Sequence, residues 1–145
     1  MLEDHSRKIR RHPRWQYAAR VREAFVDHLT IRVGDVDASR RFYEAALEPW
    51  GSRVFELEGG EISFGPTGSE DVAIAAGGPT QPPLHLAFAA PNRETVERFH
   101  AAAVEAGGRD NGAPGLRPQY HAGYYAAYVL DPDGNNVEAV FHDRT

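Results

Sequence analysis

The chain states one pattern twice, at a constant spacing of 57 residues: His28 recurs as His85, Phe42 as Phe99, Ala46 as Ala103 and Gly51 as Gly108, without a gap. A repeat of this length speaks about architecture first, because each copy is one supersecondary unit whose apolar face must be covered by its neighbour. Each copy also opens with a histidine set in a strand-like run, which brings chemistry into the same pattern.

Within the first copy, residues 26–33 alternate. Leu29, Ile31 and Val33 share one parity, and His28, Thr30 and Arg32 the other, the period-2 signature of a strand buried on one face. Asp37 or Ser39 is the expected N-cap of a helix over 38–48. Phe42, Ala45, Ala46 and Pro49 form its packing stripe, and Pro49 and Gly51 end it. Three short strands are expected over 52–57, 61–64 and 71–75, separated by Glu58-Gly59-Gly60 and Pro66-Thr67-Gly68. The Gly/Pro-rich stretch 77–83 reads as a linker. The second copy predicts a strand over 84–89, a helix over 93–106 and a short strand near Arg109. A loop over 111–118, a strand over 123–130, the turn Asp131-Pro132-Asp133-Gly134-Asn135 and a strand over 136–142 complete it. The fold class is therefore α+β, with two tandem βαβββ modules (about 25–78 and 83–142) forming a curved mixed-sheet cup. A four-stranded sheet covered by one helix leaves its concave face open, and such a concavity is where a ligand goes.

Size and charge narrow the classes. At 145 residues with 41% hydrophobic content, residues 25–145 make one domain with a real core. Cysteine is absent, so thiolate metal sites and thiol nucleophiles are excluded. Residues 1–24 form a basic extension, with seven basic residues against three acidic ones; the rest carries nine against eighteen. The extension is expected to be a tail or a helix docked through Trp15 and Tyr17, and no nucleic-acid partner is expected. No run approaches the length of a membrane span, and a cytoplasmic location is the expectation.

Alternation also fixes where the polar residues point. His28 and His85 oppose the large apolar residues of their strands, and Glu138 opposes Val137, Ala139 and Phe141, sharing its parity with Val140 and His142. If the helices cover the apolar faces, two imidazoles and one carboxylate project into one concavity, the two-His, one-carboxylate arrangement that leaves coordination positions open for a substrate. An inward carboxylate is costly unless it is paired or metal-bound. His28, His85 and Glu138 are accordingly the candidate metal ligands. A second group, Tyr120, His121, Tyr124, Tyr125 and Tyr128, precedes and enters the penultimate strand. His121 is the candidate general acid or base, since an imidazole as a class titrates near neutrality. Tyr124 or Tyr125 is a candidate donor to an oxyanion, and alternation lets only one of these neighbours face the cup. His100 and His142 read as surface groups.

The strand Val26-Asp27-His28-Leu29, the helix carrying Ser39-Arg40-Arg41-Phe42-Tyr43 and the ending Leu130-Asp131-Pro132-Asp133-Gly134-Asn135-Asn136-Val137-Glu138 resemble the vicinal oxygen chelate superfamily. That group includes glyoxalase I, extradiol dioxygenases, fosfomycin-modifying enzymes and bleomycin-binding proteins. The resemblance covers about residues 25–142 and implies paired βαβββ modules, a homodimer and a divalent ion (Fe, Mn, Ni or Zn) held by His28, His85 and Glu138. The fourth ligand of glyoxalase I would fall on Val72 or Ala73, neither of which binds a metal. The resemblance thus implies a three-ligand, metal-dependent enzyme, glyoxalase- or extradiol-dioxygenase-like, that takes a small substrate through vicinal oxygens. The alternative is a metal-free, bleomycin-resistance-like binding protein, whose known examples lack the histidines.

Overall fold

The computed structural model describes residues 26–66 and 70–145. Its strands form two separate four-stranded mixed sheets. The first module comprises β1 (Leu29–Val33), α1 (Val36–Leu47), a short 3-10 turn (Glu48–Trp50), β2 (Ser52–Glu56), β3 (Ile62–Pro66) and β4 (Val72–Ala76), in the sheet order β1-β4-β3-β2. The second comprises β5 (His85–Ala89), α2 (Arg93–Glu105), β6 (Arg109–Leu116), β7 (Tyr124–Leu130) and β8 (Asn136–His142), in the order β5-β8-β7-β6. In each, the first and last strands run parallel and the other pairings are antiparallel. The duplication read from the 57-residue spacing is thus a duplication of topology.

Local chemistry sets the elements, with three departures from the sequence reading. The α1 N-cap is Asp35, whose side chain accepts from the Ala38 N–H, so Asp37 and Ser39 sit inside the helix. The gain is an earlier start: Asp35 satisfies an otherwise orphaned donor and leaves Asp37 in the first turn, facing the positive end of the helix dipole. Next, β1 begins at Leu29 and Val26 is 65% exposed. The parallel ladder starts only where Leu29 N–H reaches Asp71 O, which leaves His28 one residue ahead of the strand. Finally, the Gly/Pro-rich stretch expected as a loop belongs to β6. Register shifts between Asp110 and Gly112 and between Gly112 and Gly115 absorb Pro114 and the glycines, as bulged edge strands do.

One core serves both modules. Phe42, Tyr43, Phe64, Ile31 and Ile74 from the first merge with Phe99, Val96, Val129 and Val137 from the second. The helices α1 and α2 pack on one another, so each sheet keeps its own helix-free face. The approach is close enough at Gly108 that a Cβ would lie 2.5 Å from Val129 Cγ1 and 2.6 Å from Phe42 Cε2. This explains why the repeat retains glycine there. Trp50 adds its ring against Phe88 and Phe99 and donates its indole N–H to Ala89 O at 2.8 Å. The turn after β7 ties the halves with polar bonds. Asp131 accepts from the buried Tyr43 hydroxyl at 2.7 Å, and Asp133 from Gly34 N–H at 3.1 Å. No described helix is long and apolar enough to cross a membrane. The basic extension lies outside the described residues.

Candidate functional site

Module 2 builds its site on the helix-free face of β5, β7 and β8. The ladders place Tyr128 opposite Glu138 and Tyr124 opposite His142, and seat Ala87 beside Glu138 on the parallel partner. His85, Ala87 and Ala89 share the exposed face of β5, while Leu84, Leu86 and Phe88 pack on the core. Small side chains beside the imidazole leave this face open. On β8, Val137 and Ala139 are buried on the core side, and Glu138 is equally buried, at 2% exposure, on the other. Burying a carboxylate is costly unless its oxygens are satisfied, and here both are. Tyr124 donates to Oε1 at 2.5 Å, and His85 Nε2 lies 3.0 Å from Oε2.

The hydrogen bonds assign the His85 tautomer. Its Nδ1 lies 2.8 Å from Asn136 Nδ2, and Asn136 Oδ1 accepts from Asn111 Nδ2 at 3.1 Å. An amide nitrogen only donates, so Nδ1 accepts and the ring proton sits on Nε2, aimed at Glu138. Asn111, Asn136, His85, Glu138 and Tyr124 form one polar chain across the sheet. Burial, the charge of Glu138 and its hydrogen bond push the Tyr128 phenol up to about 12. Burial, then Glu138 through its hydrogen bond and charge, raises Tyr124 further. Both phenols are therefore protonated donors across the physiological range.

A histidine pair closes one end of this face. His121 Nε2 lies 2.9 Å from His142 Nδ1 with the rings stacked, and both rings meet the Tyr124 ring edge-on. His121 Nδ1 accepts from Gly123 N–H, so its Nε2 proton points to His142. Read from sequence as a surface group, His142 belongs to the site. The signal was present in its shared parity with Glu138. Tyr125 lies on the other face, donating to Glu97 of α2 at 2.8 Å beneath the Arg93 guanidinium. Of the two neighbouring tyrosines, Tyr124 faces the carboxylate. Tyr120 and Tyr128 carry no role in the sequence reading, and of the two Tyr128 stands opposite Glu138. His100 pairs with Asp110 at 2.9 Å, away from this group.

Module 1 lacks the matching apparatus. In its ladder Thr30, the counterpart of Ala87, pairs with Ala73, and Ser63 stands opposite Ala73 where Tyr128 stands opposite Glu138. The register settles the counterpart of Glu138 as Ala73. With no carboxylate to meet, His28 turns to its neighbour Asp27, 2.7 Å away, with its side chain 66% exposed. His85 and Glu138 are brought together; His28 does not join them, and among the described residues no three His, Cys, Asp or Glu side chains form a metal-sized group. An apolar cavity of about 140 Å³ between the modules, lined by Leu47, Trp50, Phe64, Val72 and Phe88, holds none of the candidate residues.

A family model described as the Glyoxalase/Bleomycin resistance protein/Dioxygenase superfamily matches residues 25–139. Among solved structures, a glyoxalase/bleomycin resistance protein from Albidiferax ferrireducens T118 is 26% identical, with a TM-score of 0.69 over 83% of this chain and 100% of its own. A glyoxalase-related enzyme from Fulvimarina pelagi is 25% identical, with a TM-score of 0.59 over 80% of this chain and 86% of its own. A family enzyme from Burkholderia phytofirmans PsJN, 21% identical with a TM-score of 0.64 over 83% and 100%, shares the fold. No curated protein matches the chain.

Proposed function

The chain belongs to the glyoxalase/bleomycin resistance protein/dioxygenase superfamily, and from that membership we propose that it is a metal-dependent enzyme acting on a small substrate with vicinal oxygens, through the helix-free face of module 2. The supporting observation is Glu138, a carboxylate buried on an otherwise open face with an imidazole nitrogen 3.0 Å from one oxygen. About 3 Å is the spacing two donors adopt when each lies roughly 2 Å from a shared cation. His85 and Glu138 would hold a divalent ion as two of its ligands once the His85 ring proton moves from Nε2 to Nδ1 and the Asn136 amide turns its Oδ1 to accept it. The third in this reading is His28 of a partner copy, because each module presents its own face and His28 lies apart from His85 and Glu138 within one chain. The protein in this reading is a homodimer whose cups each combine module 1 of one copy with module 2 of the other.

A bound divalent cation would supply Lewis acidity, polarising the substrate oxygens and stabilising charge that develops on them. The remaining work falls to the chain. Tyr124 and Tyr128, held protonated, stand beside Glu138, and with that carboxylate turned to a cation their O–H groups would be free to donate toward an oxyanion. His121, with Nδ1 engaged by Gly123 N–H and Nε2 by His142 Nδ1, would move a proton by way of His142. Oxidative ring cleavage and non-redox isomerisation or lyase chemistry both fit this set. Tyr125, turned toward α2, has no part in it.

One observation favours the metal-free binding protein as second reading: Glu138 has both oxygens occupied without a cation. Thermal melting with Fe(II), Mn(II), Ni(II) or Zn(II) separates the two. The enzyme reading expects a rise in melting temperature that Glu138→Gln and His85→Ala abolish; no rise with any of the ions contradicts it.

A further inference from the structure

Arg117 is a cation built into the same face that meets no anion among the described residues. Arg40, Arg93 and Arg98 each pair with a carboxylate, from Glu56, Asp143 and Glu48 respectively. The Arg117 guanidinium instead lies over the Tyr128 ring, 5.5 Å from its centre, with Nη2 donating to Ala113 O at 2.7 Å and Nη1 to Leu116 O at 3.3 Å. The bulged strand makes room for it. A Cβ at Gly115 would stand 3.0 Å from Nη1, and one at Gly112 would stand 3.4 Å from Nη2 and 2.8 Å from the Tyr128 ring. The group is half-buried and fixed in place by two carbonyls and one ring, with donors to spare: a guanidinium has five N–H groups, and the carbonyls take two.

The surroundings say what it would hold. Tyr128, under the guanidinium, also stacks alongside the His85 ring, with centres 6.4 Å apart. Tyr120 is 62% exposed and lies with its ring 4.8 Å from that of Tyr124. Phenol rings thus line the path from Arg117 to His85 and Glu138, an aromatic wall on which a planar molecule can stack. A guanidinium fork matches a carboxylate in both charge and geometry. We infer that this site selects a small planar carboxylate, aromatic or enolic, whose carboxylate is held by Arg117 and whose body lies against Tyr128 and Tyr120. The inference rests on reading the module 2 face as the substrate site, and makes Arg117 a specificity residue for that substrate.

Calorimetric titration of the full chain with benzoate and its uncharged counterpart benzamide tests this. The wild type binds benzoate at least tenfold more tightly than benzamide. Arg117→Gln loses that preference while its benzamide affinity changes less than twofold, and Arg117→Lys keeps part of it. A merely structural arginine would alter melting temperature and both affinities together. Equal affinities in the wild type, no benzoate binding at millimolar concentration, or a preference surviving in Arg117→Gln overturns the inference. Repeating the titration after dialysis against a chelator separates it from the metal reading. The stripped protein keeps the benzoate preference, whereas loss of the preference on stripping would assign the carboxylate to a cation and overturn the role of Arg117. A protein that shows no metal response yet prefers benzoate through Arg117 refutes only the metal reading.

Discussion

Replacing Asp131 by alanine is expected to remove a large share of the stability of the whole chain, although the residue sits in a turn. Its carboxyl group is 3% exposed and accepts from the Tyr43 hydroxyl at 2.7 Å, Asn135 N–H at 2.8 Å, Asn135 Nδ2 at 2.8 Å and Asp133 N–H at 2.9 Å. Tyr43 and Asn135 are themselves buried, so in Asp131→Ala three donors lose their acceptor without reaching water; Asp133 is better exposed. At about 1–3 kcal/mol for each orphaned buried group, and allowing for shared relaxation, the cost is about 3–6 kcal/mol. Domains of this size hold only about 5–15 kcal/mol in total. Tyr43→Phe removes one donor and leaves Asp131 with three, so its cost is about 1 kcal/mol. In the Tyr43→Phe background, Asp131→Ala orphans one group fewer and costs about 1–2 kcal/mol less than in the wild type. Urea unfolding followed by circular dichroism measures all four corners of the cycle, with midpoints shifted at unchanged slope. A cost below about 1 kcal/mol for Asp131→Ala, or strict additivity with Tyr43→Phe, refutes the view that this turn fastens module 2 to α1.

Gly108→Ala forces a methyl group to within 2.7 Å of Ala103 O as well as against Val129 and Phe42, and the overpacking is expected to cost about 1–3 kcal/mol, read as a lowered melting temperature; an unchanged one refutes the close approach of the modules there. Alkaline titration followed by phenolate absorbance should go on rising well above pH about 10. Tyr43, Tyr124, Tyr125 and Tyr128 all ionise above the ordinary value of about 10. Because the folded value for Tyr128 is raised to about 12, its contribution to stability is complete below pH about 10 and is lost as pH rises through about 12. Glu138→Gln, by removing the charge while burial remains, moves the Tyr128 ionisation part of the way back toward about 10; a single transition near that value in the wild type contradicts the arrangement around Glu138.

The architecture was open to reading because duplication and alternation are local signals. Paired Phe42/Phe99 and Gly51/Gly108 mark equivalent places, and the parity of Val137 against Glu138 gives the faces of β8 without any tertiary knowledge. Parity also separated Tyr124 from Tyr125, though only the pairing of β7 with β8 shows which of them meets Glu138. Ladder register, a non-local property, was needed to choose Ala73 over Val72 as the counterpart of Glu138. The Gly/Pro-rich β6 was hidden because its composition favours a loop, and its pairing with β7 overrides that preference through bulges. His142 reads as a surface group from sequence, although alternation already puts it on the face of Glu138. Arg117 carried no signal at all, since its placement depends on how the bulged strand folds back over Tyr128.

The most direct test asks whether His28 of one copy completes the site of another. His28→Ala and Glu138→Gln chains carrying different affinity tags are co-expressed, and the doubly tagged species is assayed for bound metal. A shared cup predicts that neither variant alone retains the ion, while the mixed dimer holds about one per dimer, because His28 of one chain meets His85 and Glu138 of the other. A mixed dimer without metal, or metal retained by either variant alone, contradicts the three-ligand site across two copies.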